Sequence, residues 1–124
     1  MGDLPTSRSL YDRIGGFGTV SRIVLNFYSK ALESDAIAPY FASVDMQRLI
    51  DHQTQFICAL LGGPPSFSDD QIRDVHRDVK ISEDGFDQFV ELFEEALQEA
   101  ELEAADVAAV VQLCETKRPL VVVR

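Results

Sequence analysis

The sequence predicts an all-α domain, and two observations carry that prediction. Apolar residues recur at three- and four-residue intervals in four long stretches, the spacing of a helix face. The breaks between the stretches hold prolines, glycine pairs and helix-capping side chains, as in ESDAIAPYF and GGPPS.

Residues 18 to 33 place Val20, Ile23, Val24, Phe27, Ala31 and Leu32 on one stripe. Pro39 ends any helix before it, because the residue preceding a proline is pushed out of the helical region. Asp45 is a plausible N-cap for a second helix that runs to Leu61. Its stripe is Met46, Leu49, Ile50, Gln53, Phe56, Ile57, Leu60 and Leu61. GGPPS then stops the chain, and DQIRDVHRDVKI, residues 70 to 81, reads as a short helix with Ile72, Val75, His76 and Val79 on one face. Ser82 caps the next helix, where Glu83 and Asp84 complement the positive end of the helix dipole. That helix carries Phe86, Phe89, Val90, Phe93, Ala96 and Leu97. A last helix over about 103 to 116 turns Val107, Val110, Val111 and Cys114 inward, and PLVVVR is strand or extended coil. No repeat or linker divides the chain, so residues 1–124 read as one domain, with 1–9 a loose arm and 118–124 a tail.

Eleven Lys and Arg stand against 21 Asp and Glu, a net charge of −10. Nucleic acid and anionic membranes both require a positive surface, so neither is expected as a partner. No run approaches the roughly eighteen apolar residues of a membrane span, and the start lacks the basic and apolar regions of a signal peptide. Cys58 and Cys114 lie far apart in apolar helical surroundings, which reads as two reduced core thiols in a cytoplasmic protein.

Three polar residues stand in or beside apolar stripes: Tyr28, Gln53 and His76. Each has an ordinary structural account, since a buried polar group needs only one satisfied partner. Together they suit a buried planar metal cofactor such as haem. An imidazole could bind the metal from one side, and a phenol and an amide could hydrogen-bond whatever occupies the other. Eight phenylalanines and no tryptophan supply flat apolar walls.

The ordered set LYDRIGG, NFYSKAL, APYFASVDMQRL, HQTQF, ALLGGPPSF, DVH, FDQFVE and KRP resembles the group I truncated haemoglobins, small two-over-two helical globins, over about residues 10 to 119. The resemblance implies an all-α sandwich of two helices over two around one haem. It implies that His76 is the proximal iron ligand, that Phe27 and Tyr28 are the family's Phe-Tyr pair with Tyr28 the distal donor, and that Gln53 is its distal partner. Phe41 then wedges against the haem, and Met46, Leu49, Ile57, Val75, Ile81, Phe86 and Phe89 supply further apolar contacts. Leu49 takes the distal position where many globins carry histidine or glutamine, and Gly15-Gly16 and Gly62-Gly63 match two glycine pairs of the family.

The chain departs from the family pattern in three places. No glycine follows His76 in RDVKI. Thr116 stands where some relatives carry a histidine bonded to a haem vinyl, which implies a non-covalent b-type haem. Ile57 stands where a mycobacterial relative lines its ligand tunnel with phenylalanine. His52 keeps two readings open: a surface histidine about 100° around the helix from Gln53, or the sixth iron ligand that cyanobacterial relatives carry there. The ligands implied are O2, NO and CO, bound by a monomer or weak dimer. Three functions follow from the resemblance: conversion of nitric oxide to nitrate with an external reductase, reversible gas binding or sensing, and electron transfer through a bis-histidine iron.

Overall fold

The structure, a computed structural model, describes residues 9–63, 68–76 and 80–122, the side chains of residues 74–76 excepted. Among them seven α-helices are present: α1 Leu10–Ile14, α2 Gly16–Leu32, α3 Met46–Leu60, α4 Asp69–His76, α5 Glu83–Glu99, α6 Ala104–Glu115 and α7 Arg118–Val121. A 3₁₀ turn spans Ala38–Phe41. The only extended pairing among the described residues is an isolated parallel bridge between Ile81 and Val122.

Each long helix begins and ends where local chemistry allows. Asp45 caps α3 by accepting from the Arg48 amide at 3.3 Å, and Ser82 caps α5 by accepting from the Gly85 amide at 3.0 Å. Ser68 and Gln71 form a reciprocal capping box at α4, with bonds of 3.1 and 2.8 Å. α1 ends at Gly15, whose φ of +116° is open to glycine at little cost, and α2 starts directly from it. α3 leaves through Gly62, at φ +98°, into Gly63, where a Cβ would meet the Tyr11 ring at 2.8 Å. The Tyr11 amide donates to the Leu61 carbonyl at 3.0 Å, and the Tyr11 ring lies beside both Gly16 and Gly63, which ties α1 to the exit of α3.

α2 is the central helix. It packs on α3 and on α5, and α5 packs on α6, which stacks one helix pair over another. Val20, Ile23, Val24, Phe27 and Ala31 from α2 meet Phe93, Ala96 and Leu97 from α5 and Val107 and Val110 from α6 in the main core. Ile37, in the turn after α2, is fully enclosed there. Asn26 and Lys30 of α2 both reach Glu99 of α5, at 2.8 and 2.7 Å. No helix among the described residues is long and apolar enough to cross a membrane.

Four expectations change. Leu32 is 47% exposed, because one step past Ala31 the helix turns it away from the core. α1 and the 3₁₀ turn were not predicted, and each is only four or five residues long. The tail is helical over Arg118–Val121 before Val122 becomes extended. Finally, no helix runs through residues 70 to 81. α4 has His76 as its last residue, residues 77–79 lie outside the described set, and Lys80 is left-handed with φ +59°. Lys80 thus adopts a conformation that glycine adopts more cheaply.

Candidate functional site

α3 presents two different faces. Its fully buried residues are Thr54 and Cys58, and the Thr54 hydroxyl is satisfied by the Ile50 carbonyl at 2.8 Å. Leu49, Gln53, Phe56, Ile57 and Leu60, most of the predicted apolar stripe, are only half-buried because they line a cavity of about 510 Å³. That volume is in the ordinary range for a small-molecule or cofactor site.

α2 delivers Tyr28 to the same cavity, buried and packed edge-on against Phe27 at 4.7 Å and Phe41 at 5.6 Å. Phe41 comes from the 3₁₀ turn and meets Phe89 of α5 edge-on at 6.0 Å, so one aromatic chain links three walls. Burial pushes the Tyr28 phenol above its ordinary pKa, and a smaller opposing effect comes from its hydrogen bond with Gln53. The phenol therefore remains a neutral O–H donor at any physiological pH. Leu49, one helical turn before Gln53, offers no polar group.

The remaining wall is built from the second half of the chain. Gln71 and Ile72 of α4, Ile81 of the following segment, and Phe86, Phe89 and Val90 of α5 line it. Cys114, Lys117 and Val121 close the end where α6 passes into α7. Burial pushes the Cys114 thiol up to about 12, with Glu115 adding to the shift, so it stays protonated.

Of the residues singled out in the sequence, Tyr28, Phe41, Leu49, His52, Gln53, Ile57, Ile81, Phe86 and Phe89 are brought to this cavity. His52 is exposed and contributes from the rim. Met46 packs against the main core instead; Val44, two residues earlier, takes a place on the cavity wall. The side chains of Val75 and His76 lie outside the described residues, although α4 itself borders the cavity through Gln71 and Ile72. Sequence reasoning missed Tyr40, Phe56 as a wall residue, Lys117 and Val121. Phe56 was readable, since it shares the stripe of Gln53; the other three have no local pattern.

The arrangement fits a flat apolar group with one polar pole. Its walls are aromatic and aliphatic, and its most deeply buried polar group is a phenol held by an amide. Among the described residues no cluster of three or more His, Cys, Asp or Glu could hold a bare metal ion. A metal here would bring most of its ligands with it, as iron does in haem.

Comparison with known proteins gives the same picture. The family model described as bacterial-like globin matches residues 9–120. The group 1 truncated haemoglobin of Mycolicibacterium paratuberculosis is 36% identical over 69 residues, covering 56% of this chain and 51% of that protein, so the chain spans about half of that relative's length. The group 1 truncated haemoglobin of Tetrahymena pyriformis is 27% identical over 92 residues, covering 74% and 76% of the two chains. Among solved structures, the 2/2 haemoglobin of Synechococcus sp. PCC 7002, described in the cyanomet state with covalently attached haem, superposes with a TM-score of 0.88. It is 28% identical, covering 94% of this chain and all of that one.

Proposed function

The chain belongs to the bacterial-like globin family, as a group I truncated haemoglobin, and from this membership we propose that it holds one b-type haem non-covalently and uses it to convert nitric oxide to nitrate. As a globin it takes haem and, at the haem iron, diatomic gases. When bound, haem supplies an iron at which oxygen and nitric oxide can combine to nitrate, the iron giving up one electron that an external reductase returns.

The protein's part is played by its own side chains. His76 would hold the iron from α4. Tyr28 presents its O–H to the partially negative end of a diatomic ligand, and Gln53 fixes the direction of that O–H. A hydrogen bond of this charge-assisted kind is worth about 1.5–3 kcal/mol. Leu49, Phe41, Ile57 and Phe89 exclude water, which keeps the donor's electrostatic effect undiluted. Thr116 supports the non-covalent reading. It is exposed and its hydroxyl donates to the Leu113 carbonyl at 2.5 Å, and it has no imidazole to offer a vinyl group.

The observation that carries this reading is the Tyr28–Gln53 pair inside an apolar cavity of cofactor size. The test is to reduce the haem-loaded protein, equilibrate it with oxygen and mix it with nitric oxide. One nitrate per nitric oxide, with a ferric spectrum afterwards, is expected; nitric oxide left unconsumed would reject the activity.

One observation favours a second reading, redox work through a six-coordinate iron: His52 lies on the cavity wall despite its exposure. It sits one residue, about 100°, from Gln53, so reaching an iron would require α3 to rotate or shift. A gas would then compete with the imidazole, and its apparent affinity would fall by the fraction of molecules open. We expect a low-spin ferric spectrum in the parent protein and a high-spin one in His52→Ala. High-spin spectra in both would return His52 to the surface.

A further inference from the structure

α4 is a helix of eight residues, and among the described residues its principal packing is with α7 rather than with α2, α3 or α5. α7 is only four residues long, far too short to be stable by itself. Something else must therefore hold α7 in place, and it holds α4 as well.

The links run in series. Asp69, the first residue of α4, pairs with Lys117 at 3.6 Å. Ile72 of α4 is buried in a second core cluster with Ile81, Phe86, Val121 and Val122, and the Ile81–Val122 bridge lies in that cluster. From α7, Arg118 spans back to α5. Its guanidinium reaches Glu83 at 2.8 Å and Asp87 at 2.5 Å, takes Glu115 of α6 at 2.9 Å, and lies over the Phe86 ring at 4.6 Å from its centroid. Arg118 thus joins α5, α6 and α7 at one point. A lysine could not match it, because only the planar guanidinium fork serves several carboxylates and an aromatic face together. Its side chain is 20% exposed, while Glu83 and Asp87 are 46% and 62% exposed, so solvent partly screens these pairs and their geometry, more than their charge, fixes α7.

We infer that Arg118 is a positioning residue for the helix that carries His76: through α7 it fixes α4 and so sets how firmly the proximal side of the site is held. The inference rests on the reading of His76 as iron ligand, and the test separates the two. Arg118→Met keeps much of the side chain's length over Phe86 and removes the charge. Arg118→Lys keeps the charge and removes the fork. Both are compared with the parent in the haem-loaded full chain by hydrogen exchange resolved to α4 and α2, and by the ferrous iron–histidine stretching band.

In Arg118→Met the amides of residues 69–76 should exchange about tenfold faster or more, a local opening that leaves α2 at its parent rate. The iron–histidine band should shift or broaden. Arg118→Lys should show the same pattern at smaller amplitude, and it serves alone if the methionine variant does not fold. Parent-like exchange and an unchanged band in the folded variants would overturn the role. So would equal acceleration in α2 and α4, which would make Arg118 a general stabiliser. His76→Ala separates the premise: if its iron–histidine band persists, the ligand assignment fails, while the exchange arm still decides whether Arg118 anchors α4.

Discussion

The His76→Ala protein is expected to lose haem at least about a hundredfold faster than the parent, since even outer-shell partners of a metal ligand are worth roughly 10–100-fold in affinity. The chain has two histidines, one at the end of α4 and one on the exposed rim of α3. The walls would still attract a flat apolar molecule, so the variant should take up haem transiently, without a defined axial ligand. Transfer of haem to an acceptor globin measures the rate directly. A variant that keeps its haem with ferric and ferrous spectra unchanged would move the proximal ligand elsewhere.

Removing the Tyr28 hydroxyl should have the next largest effect. Tyr28→Phe keeps the ring packed between Phe27 and Phe41 and deletes only the donor. Oxygen dissociation should rise by about tenfold or more, because each 1.4 kcal/mol is a decade and the bond is worth at least roughly that much. Gln53→Leu should act in the same direction and less strongly, since it frees the phenol to turn rather than removing it. The double variant should then resemble Tyr28→Phe alone, the non-additivity expected of two groups acting as one. Stopped-flow displacement of oxygen by carbon monoxide reads all three rates. An off-rate in Tyr28→Phe equal to the parent's would exclude the phenol from ligand binding.

The residues that could be read in the sequence are those whose environment is set within their own helix. The stripes of α2, α3, α5 and α6 announce themselves by period, and Asp45 and Ser82 by cap chemistry. Tyr28 and Gln53 were visible as polar interruptions of such stripes. α1, the 3₁₀ turn and α7 have no room for a period, yet each left a trace: Ser9 with Asp12, whose amide it accepts at 3.1 Å, Pro39 at the start of the 3₁₀ turn, and Pro119 in the first turn of α7. Lys117 and Val121 could not be placed on the cavity beforehand. What brings them there is Arg118 and a bridge from Val122 to Ile81, contacts across more than thirty residues that no local pattern encodes. Leu49, Gln53 and Ile57 of the α3 stripe were expected at the haem through the resemblance. Most of the stripe faces the cavity because Thr54 and Cys58 take the fully buried positions of the helix.

That last feature makes the cofactor a structural component. Side chains from α2, α3, α5 and α7 line the cavity, so a ligand seated there adds packing contacts to all four helices. Haem binds the folded chain in preference to the unfolded one, and by mass action the folding equilibrium shifts by RT ln(1 + [L]/Kd). At a hundred times Kd that amounts to about 2.7 kcal/mol, a sizeable part of the roughly 5–15 kcal/mol that holds an ordinary domain together. The folded fraction is therefore expected to rise with the concentration of free haem, which a thermal melt at increasing haem would read as a rising midpoint.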